Sequence, residues 1–197
     1  MRNRGAGSAV AVALLLACAA CTGGENAEGE KQPEPLGEVP AVEVLGAESA
    51  AAAEVLDHGG GRVVATARVG EEVFLFFTQD GSCGFAVVST TEPSEVSVRL
   101  TAGPDTDGER GEERYPGGPY RLTSTNTGEA EEDRWTALLC GENAMVVEHV
   151  AELRDGGITD LTGEVDFVSG LPGNTTVFAV AEESRRDVIL RSAGSGT

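Results

Sequence analysis

The stretch VFLFFTQDGSCGFAVV, residues 73–88, decides the fold class of this 197-residue chain. Residues 73–77 and 85–88 are two unbroken apolar runs, and each has the length and composition of a buried strand. Between them lies Asp80-Gly81, a dipeptide that favours the two-residue turn of a β-hairpin. The stretch therefore predicts a hairpin at the centre of a β domain.

Alternating apolar and polar residues flank this hairpin on both sides. Residues 63–69 and 95–101 both alternate, so each segment is expected to bury one face and expose the other. Further candidate strands lie at residues 135–140, 165–168, 177–181 and 188–190. Short strands separated by turns rich in Gly and Pro predict a mostly β fold, a single antiparallel β-sandwich or barrel-like domain with one or two short helices.

Two segments do not have a clear strand pattern. Residues 47–56 are rich in Ala and precede three glycines, which predicts a short helix with a glycine stop. Residues 144–154 fit either structure. Asn143 could cap a helix, whereas the β-branched Val146, Val147 and Val150 favour a strand.

The chain is strongly acidic, with 33 Asp and Glu against 14 Lys and Arg, for a formal charge of −19. This charge excludes nucleic-acid binding and electrostatic attachment to anionic lipid, since both need a basic surface. Residues 22–40 are almost devoid of apolar side chains and predict a disordered acidic linker. The β-rich domain is expected over 41–191, which is long enough for one core, and a flexible tail over 192–197.

The beginning of the chain has the pattern of an export signal. Residues 1–7 carry Arg2 and Arg4 without an acid, and residues 9–17 form an apolar run too short to span a bilayer. The next residues, LLACAACTGG at 15–24, resemble the lipobox of bacterial lipoproteins. The resemblance implies a cleaved signal peptide, an acylated N-terminal Cys and a lipid anchor on the outer face of the cytoplasmic membrane. The single Lys against 13 Arg also resembles the composition of actinobacterial proteins.

Two cysteines compete for the acyl group. Cys18 has Leu15 three residues before it, as the lipoprotein pattern prefers, and its use would make 1–17 the signal peptide. Acylation of Cys21 would instead remove residues 1–20 and leave an even number of cysteines in the body. We expect Cys18, with Cys21 as the alternative. A secretory signal cut after Ala19 would release a soluble protein and is the competing interpretation.

Export also bears on the two remaining cysteines. Cys83 and Cys140 each lie beside a glycine at the edge of a predicted strand, and in an oxidising compartment they are expected to form a disulfide. A nucleophilic Cys83 would need a base, and the chain has only His58 and His149 to provide one. We therefore predict a disulfide and no catalytic cysteine.

No motif in the sequence predicts a cofactor or a catalytic site. The acidic residues Asp105, Asp107, Glu109 and Glu112 are weak candidates for a calcium site, but their spacing fails the EF-hand loop and a solvated loop is preferred. Two histidines cannot form a three-histidine zinc site. Trp135, Tyr115 and Tyr120 could line a binding patch, although core positions are the simpler interpretation.

These patterns predict an extracytoplasmic lipoprotein whose β domain binds or scaffolds without catalysing a reaction. Its partners would be the lipid bilayer, reached through the acyl anchor, and an envelope protein or small ligand that the sequence does not identify. Two alternatives remain at this stage. One is a cell-envelope hydrolase that uses a carboxylate pair, and the other is a calcium-dependent adhesion or sensing module.

Overall fold

The computed structural model describes residues 33–46, 48–56, 60–90, 95–104, 113–126, 135–150 and 157–195. These residues belong to one compact unit that begins at Pro33. In chain order the elements are α1 (Glu48–Leu56), β1 (Arg62–Val69), β2 (Glu72–Gln79), β3 (Ser82–Ser89), β4 (Val96–Ala102), β5 (Arg121–Asn126), β6 (Trp135–Cys140), β7 (Met145–Val150), β8 (Ile158–Gly163), β9 (Val165–Leu171), β10 (Thr175–Val180) and α2 (Glu183–Ser195).

The described strands form two five-stranded sheets. Sheet 1 has the order β4-β3-β2-β1-β8, and sheet 2 has the order β5-β6-β7-β10-β9. Every strand pairing within the two sheets is antiparallel. The predicted antiparallel β-sandwich is therefore confirmed.

The predicted central hairpin is formed by β2 and β3. Their register runs without interruption from Glu72 opposite Ser89 to Gln79 opposite Ser82. Asp80 and Gly81 both have positive φ angles, 50° and 76°, as the two-residue turn of type I′ requires. The turn therefore fixes which residues of the two apolar runs face each other.

The core has three layers because each sheet is covered on its outer face by a helix. Phe74, Phe76 and Phe85 point between the two sheets, whereas Leu75 and Phe77 point outward beneath α1. A third cluster lies between sheet 2 and α2. Central strands that are buried on both faces explain why residues 73–77 are apolar without alternation.

One continuous stretch passes from sheet 1 to sheet 2 where β8 leads into β9. Gly163, at this crossing, has a φ of +87°, and a Cβ there would lie 2.3 Å from the carbonyl oxygen of Val64. A side chain cannot fit at that distance, so the crossing requires glycine.

The structure decides or corrects several expectations about local structure. Residues 47–56 contain the predicted helix, seen as Glu48–Leu56, and the ambiguous 144–154 segment contains strand β7. The strand predicted at 188–190 is wrong, because these residues lie within α2. Arg186, Ile189, Leu190 and Ala193 contact sheet 2 or pack against its outer cluster, and their spacing is that of one helical face.

The boundaries of the domain also differ from the expected ones. The linker was expected to extend to residue 40, but Leu36 and Val39 are only 4% and 2% exposed and pack in the core between the sheets. The tail was expected from residue 192, but α2 continues to Ser195. The folded unit is therefore longer at both ends than 41–191. No helix among the described residues is both long enough and apolar enough to cross a membrane.

Candidate functional site

A disulfide joins the two sheets at one end of the sandwich. Cys83 on β3 and Cys140 on β6 are bonded, with their Cα atoms 5.6 Å apart, and each residue is only 1% exposed. The predicted pairing is confirmed. Closing a chain segment of 57 residues stabilises the fold by about 4 kcal/mol in the chain-entropy model.

A cleft of about 330 Å³ opens beside this disulfide, and we call it the disulfide-end cleft. Five segments that are distant in sequence form its walls. They contribute Leu36, Gly37, Gly60, Arg62, Thr78, Gln79, Asp80, Gly81, Ser82, Cys83, Pro104, Gly141 and Glu142. The cleft therefore depends on the tertiary fold and on no single motif.

Arg62 supplies the positive charge of this cleft. Its Nε donates a hydrogen bond to Oγ1 of Thr78 at 3.4 Å, and its Nη2 donates to the carbonyl oxygen of Gly37. These contacts use two of the five N–H groups of a guanidinium and hold the group against the cleft wall. The exposed acidic residues Asp80 and Glu142 also line this cleft.

Part of the cleft wall is bare backbone. A Cβ built on Gly37, Gly60 or Gly81 would meet nothing within 4 Å. The wall therefore leaves space for a ligand at these three positions, although the carbonyl oxygen of Gly37 already accepts a hydrogen bond from Arg62. The cleft thus combines one guanidinium that is held in place, two exposed acidic residues and a wall that glycines leave open.

A second concavity, of about 570 Å³, lies at the beginning of α2 and is lined mainly by acids. We call it the acidic groove. Its carboxylates belong to Glu34, Glu164, Glu182, Glu183 and Asp187. Among the described residues, no group of three or more His, Cys, Asp or Glu side chains is arranged to hold a metal ion.

Arg186 fixes α2 to sheet 2 at the edge of this groove. The residue is 9% exposed, and its guanidinium contacts the carboxylates of Glu164 and Asp166. Its Nη1 also donates to the carbonyl oxygen of Ala181 at 2.6 Å. Burial lowers the pKa of Arg186, but the hydrogen bonds that its guanidinium donates to the carboxylates of Glu164 and Asp166 outweigh this effect and raise the pKa. Arg186 is therefore a charged contact that holds the helix in place.

A second buried polar contact lies on the outer face of sheet 2. Glu148 is 6% exposed and accepts hydrogen bonds from Nη1 of Arg114 and from the hydroxyl of Tyr115, both at 2.6 Å. Burial, reinforced by the hydrogen bond to Glu148, raises the pKa of the Tyr115 hydroxyl. Tyr120 is fully buried, and burial raises its pKa to about 12. Both tyrosines belong to the cluster beneath α2, so the core interpretation of the aromatic residues is the correct one for them.

His149 points to the other face of sheet 2, into the core. Its Nδ1 lies 2.9 Å from Oγ1 of Thr136, and its ring makes an edge contact with Phe74 at 5.0 Å between centroids. The residue is 7% exposed. His149 is therefore a core residue with a polar partner.

Several predicted site residues lie outside the described part of the chain. These are the acylation candidates Cys18 and Cys21, the acidic candidates Asp105, Asp107, Glu109 and Glu112, and His58. The disulfide-end cleft has no counterpart among the sequence predictions. The sequence indicates Asp80 only as a turn residue, and nothing in it places Arg62 or Glu142 beside Asp80. Comparison of the chain with protein-family models, with curated proteins and with solved structures finds no match.

Proposed function

We propose that the protein is an exported lipoprotein whose β-sandwich binds a small ligand in the disulfide-end cleft. The observation that carries the proposal is the buried Cys83–Cys140 disulfide. Both sulfur atoms belong to the core between the sheets, so the bond is part of the fold. Structural disulfides form and persist in oxidising compartments outside the cytoplasm.

The lipid anchor rests on the N-terminal sequence. A charged beginning, a short apolar run and an adjacent cysteine occur together in residues 1–18, as in bacterial lipoproteins. Acylation of Cys18, or of Cys21, would hold the domain on the outer face of the cytoplasmic membrane. The acidic composition favours attachment through acyl chains, since anionic lipid headgroups repel a chain with a formal charge of −19.

Binding is favoured over catalysis by the groups that line the cleft. Cys83 is held in the disulfide and cannot act as a nucleophile. Arg62 is fixed by two hydrogen bonds, and Gly37, Gly60 and Gly81 leave the wall open. A charged group held in place beside open space is suited to recognition, because a ligand can contact it without disturbing the fold.

Cell fractionation of two matched variants tests the anchor. We expect the full chain, expressed in bacteria that process lipoproteins, to be acylated and to lie in the membrane fraction. We expect the Cys18→Ala variant to lack the acyl group. Cys21→Ala serves as the control and should leave the protein membrane-bound. The reverse result would assign the anchor to Cys21. Unacylated protein in the medium from the unchanged chain would contradict the proposal.

A further inference from the structure

We propose that the disulfide-end cleft binds a small zwitterion of amino-acid to dipeptide size, which carries a free ammonium group and a free carboxylate. This inference rests on the proposed binding function and names the class of its ligand. Arg62 would contact the carboxylate of the ligand, and Asp80 and Glu142 would contact its ammonium group.

The cleft contains charged residues of both signs, which match the two charged ends of such a ligand. A guanidinium pairs with a carboxylate through charge-assisted hydrogen bonds, and a carboxylate accepts such bonds from an ammonium group. Arg62 is held in place before any ligand arrives, since it already contacts Thr78 and Gly37. A side chain that is ordered in advance loses less conformational freedom on binding.

The overall charge of the protein favours a neutral ligand over an anion. A chain with a formal charge of −19 repels anions at long range, so Arg62 alone is a poor basis for an anion site. A zwitterion has no net charge and is not repelled, yet it presents a carboxylate to Arg62 at short range. A simple cation would use Asp80 and Glu142 but leave Arg62 without a ligand contact.

The size of the cleft limits the ligand. Its volume of about 330 Å³ is at the lower end of the range for small-molecule sites, roughly 300–1,000 Å³. Ser82 and Gln79 also line the cleft and could bind a peptide group between the two charged ends, and the glycines leave space for it. An amino acid or a dipeptide fits these limits.

A titration followed by NMR tests the inference. The ¹⁵N-labelled full chain, held in detergent micelles, is titrated with the dipeptide Ala-Ala, with N-acetyl-Ala-Ala and with Ala-Ala amide. We expect Ala-Ala to shift the amide signals of Gly60, Arg62, Gly81 and Glu142. Each capped peptide loses one charged contact and should therefore bind at least about tenfold more weakly than Ala-Ala.

Ala-Ala amide is the most informative of these probes because it is a cation. General attraction to an acidic surface would make it bind more tightly than the zwitterion, whereas the proposal predicts weaker binding. Tighter binding of the amide would therefore overturn the inference. Shifts confined to residues of the acidic groove, such as Glu183 and Asp187, would overturn it as well.

Matched variants assign the two charged ends. Asp80→Asn keeps a residue that tolerates the positive φ of 50° and should weaken Ala-Ala binding about tenfold, as should Arg62→Gln. Glu54→Gln and Arg99→Gln make the same charge changes at exposed positions outside the cleft and should leave binding unchanged. If Arg62→Gln fails to fold, Asp80→Asn and the capped peptides still decide the question.

The remaining outcomes separate this inference from the proposed function. Equal binding of all three peptides at the cleft would reject the zwitterion but keep the cleft as a binding site. No shift of any cleft amide with Ala-Ala would reject the ligand class. Neither result alters the anchor, which the fractionation of Cys18→Ala and Cys21→Ala tests independently.

Discussion

Sheet 1 and sheet 2 each bury an outer face beneath a helix, but the contacts under the two helices differ in chemistry. Val55, Leu75 and Phe77 are buried between α1 and sheet 1, and none of the buried polar or charged side chains among the described residues belongs to α1 or sheet 1. The outer face of sheet 2 also buries polar groups, including Glu148 and Arg186. Apolar packing is insensitive to pH, whereas the two tyrosines buried on the outer face of sheet 2 have raised pKa values, so the two faces should respond differently to alkaline pH.

The largest expected loss of stability comes from removing an apolar side chain under either helix, because both faces bury such side chains. Ile189→Ala in α2 removes a fully buried side chain and should lower the free energy of unfolding by about 3 kcal/mol, and Val55→Ala in α1 by about 2 kcal/mol. Both losses come from removed apolar contacts and the cavities left behind. Urea unfolding of the full chain measures them. A loss near zero for either variant would show that its helix does not contribute to the fold.

The next effect concerns alkaline pH and only sheet 2. The chain has two tyrosines, Tyr115 and Tyr120, so tyrosinate absorbance reports this face alone. Burial raises the pKa of Tyr120 from 10.0 to about 12, which means that the unfolded chain loses its proton first. Stability is therefore retained below pH 10 and falls as the pH rises towards 12, by about 2 kcal/mol for this group.

Tyr120→Phe is the control for the alkaline titration, because it removes the ionising group and should reduce the loss of stability above pH 10. The absorbance of the unchanged folded protein should rise only well above pH 10. Titration of both tyrosines near pH 10, in protein that is still folded, would show that they are not buried beneath α2.

A smaller effect is expected at the buried carboxylate. Glu148→Gln weakens charge-assisted hydrogen bonds from Arg114 and Tyr115 and should destabilise the fold by about 1–2 kcal/mol. It should also lower the pKa of Tyr115, since the hydrogen bond to Glu148 helps to raise it. Glu142→Gln, at an exposed position, should change the free energy of unfolding by less than about 0.5 kcal/mol. If the two variants changed the free energy of unfolding equally, the buried carboxylate would contribute no more to stability than the exposed one, which would contradict the prediction.

The smallest effect lies at the margin of sheet 1. Glu48 and Arg68 form an ion pair at 2.6 Å, and the pKa of Glu48 is lowered by a hydrogen bond to backbone and by Arg68. This contribution is present above the ordinary pKa and is lost as the pH falls. Because Arg68 is 37% exposed, Glu48→Gln should cost less than about 1 kcal/mol.

The matched variant for this ion pair is Glu54→Gln on the exposed side of α1, which should have no effect on unfolding. Acid unfolding curves of the two variants measure the difference. A loss above about 2 kcal/mol for Glu48→Gln would mean that the face of sheet 1 also depends on charge, and the comparison of the two faces would fail.

The sequence predicts the parts of the fold that local patterns specify. It does not predict the parts that depend on contacts between distant residues. Residues 73–88 contain both their strands and their turn, so the hairpin followed from sequence alone. In contrast, the β-branched Val188 and Ile189 favoured a strand, although the positions that contact sheet 2 follow a helical spacing. Leu36 and Val39 are isolated apolar residues among Gly and Pro, and only the assembled sandwich gives them a core to enter.

The disulfide and the cleft show the same contrast. The expectation of export predicted the pairing of Cys83 with Cys140, because two cysteines in an oxidising compartment have few alternatives. The cleft beside them brings Arg62, Asp80 and Glu142 together from three separate segments. Such a site depends on strand order, which one sequence does not reveal.

A disulfide joins the two sheets, and we propose that the protein carrying it is exported and acylated. The most direct test is the intact mass of the full protein from the membrane fraction of its own cells, measured after thiol alkylation with and without prior reduction. We predict an acylated N-terminal cysteine, Cys18 or Cys21, and two additional alkylated thiols, those of Cys83 and Cys140, only after reduction. Unacylated protein, or free thiols at Cys83 and Cys140 before reduction, would contradict it.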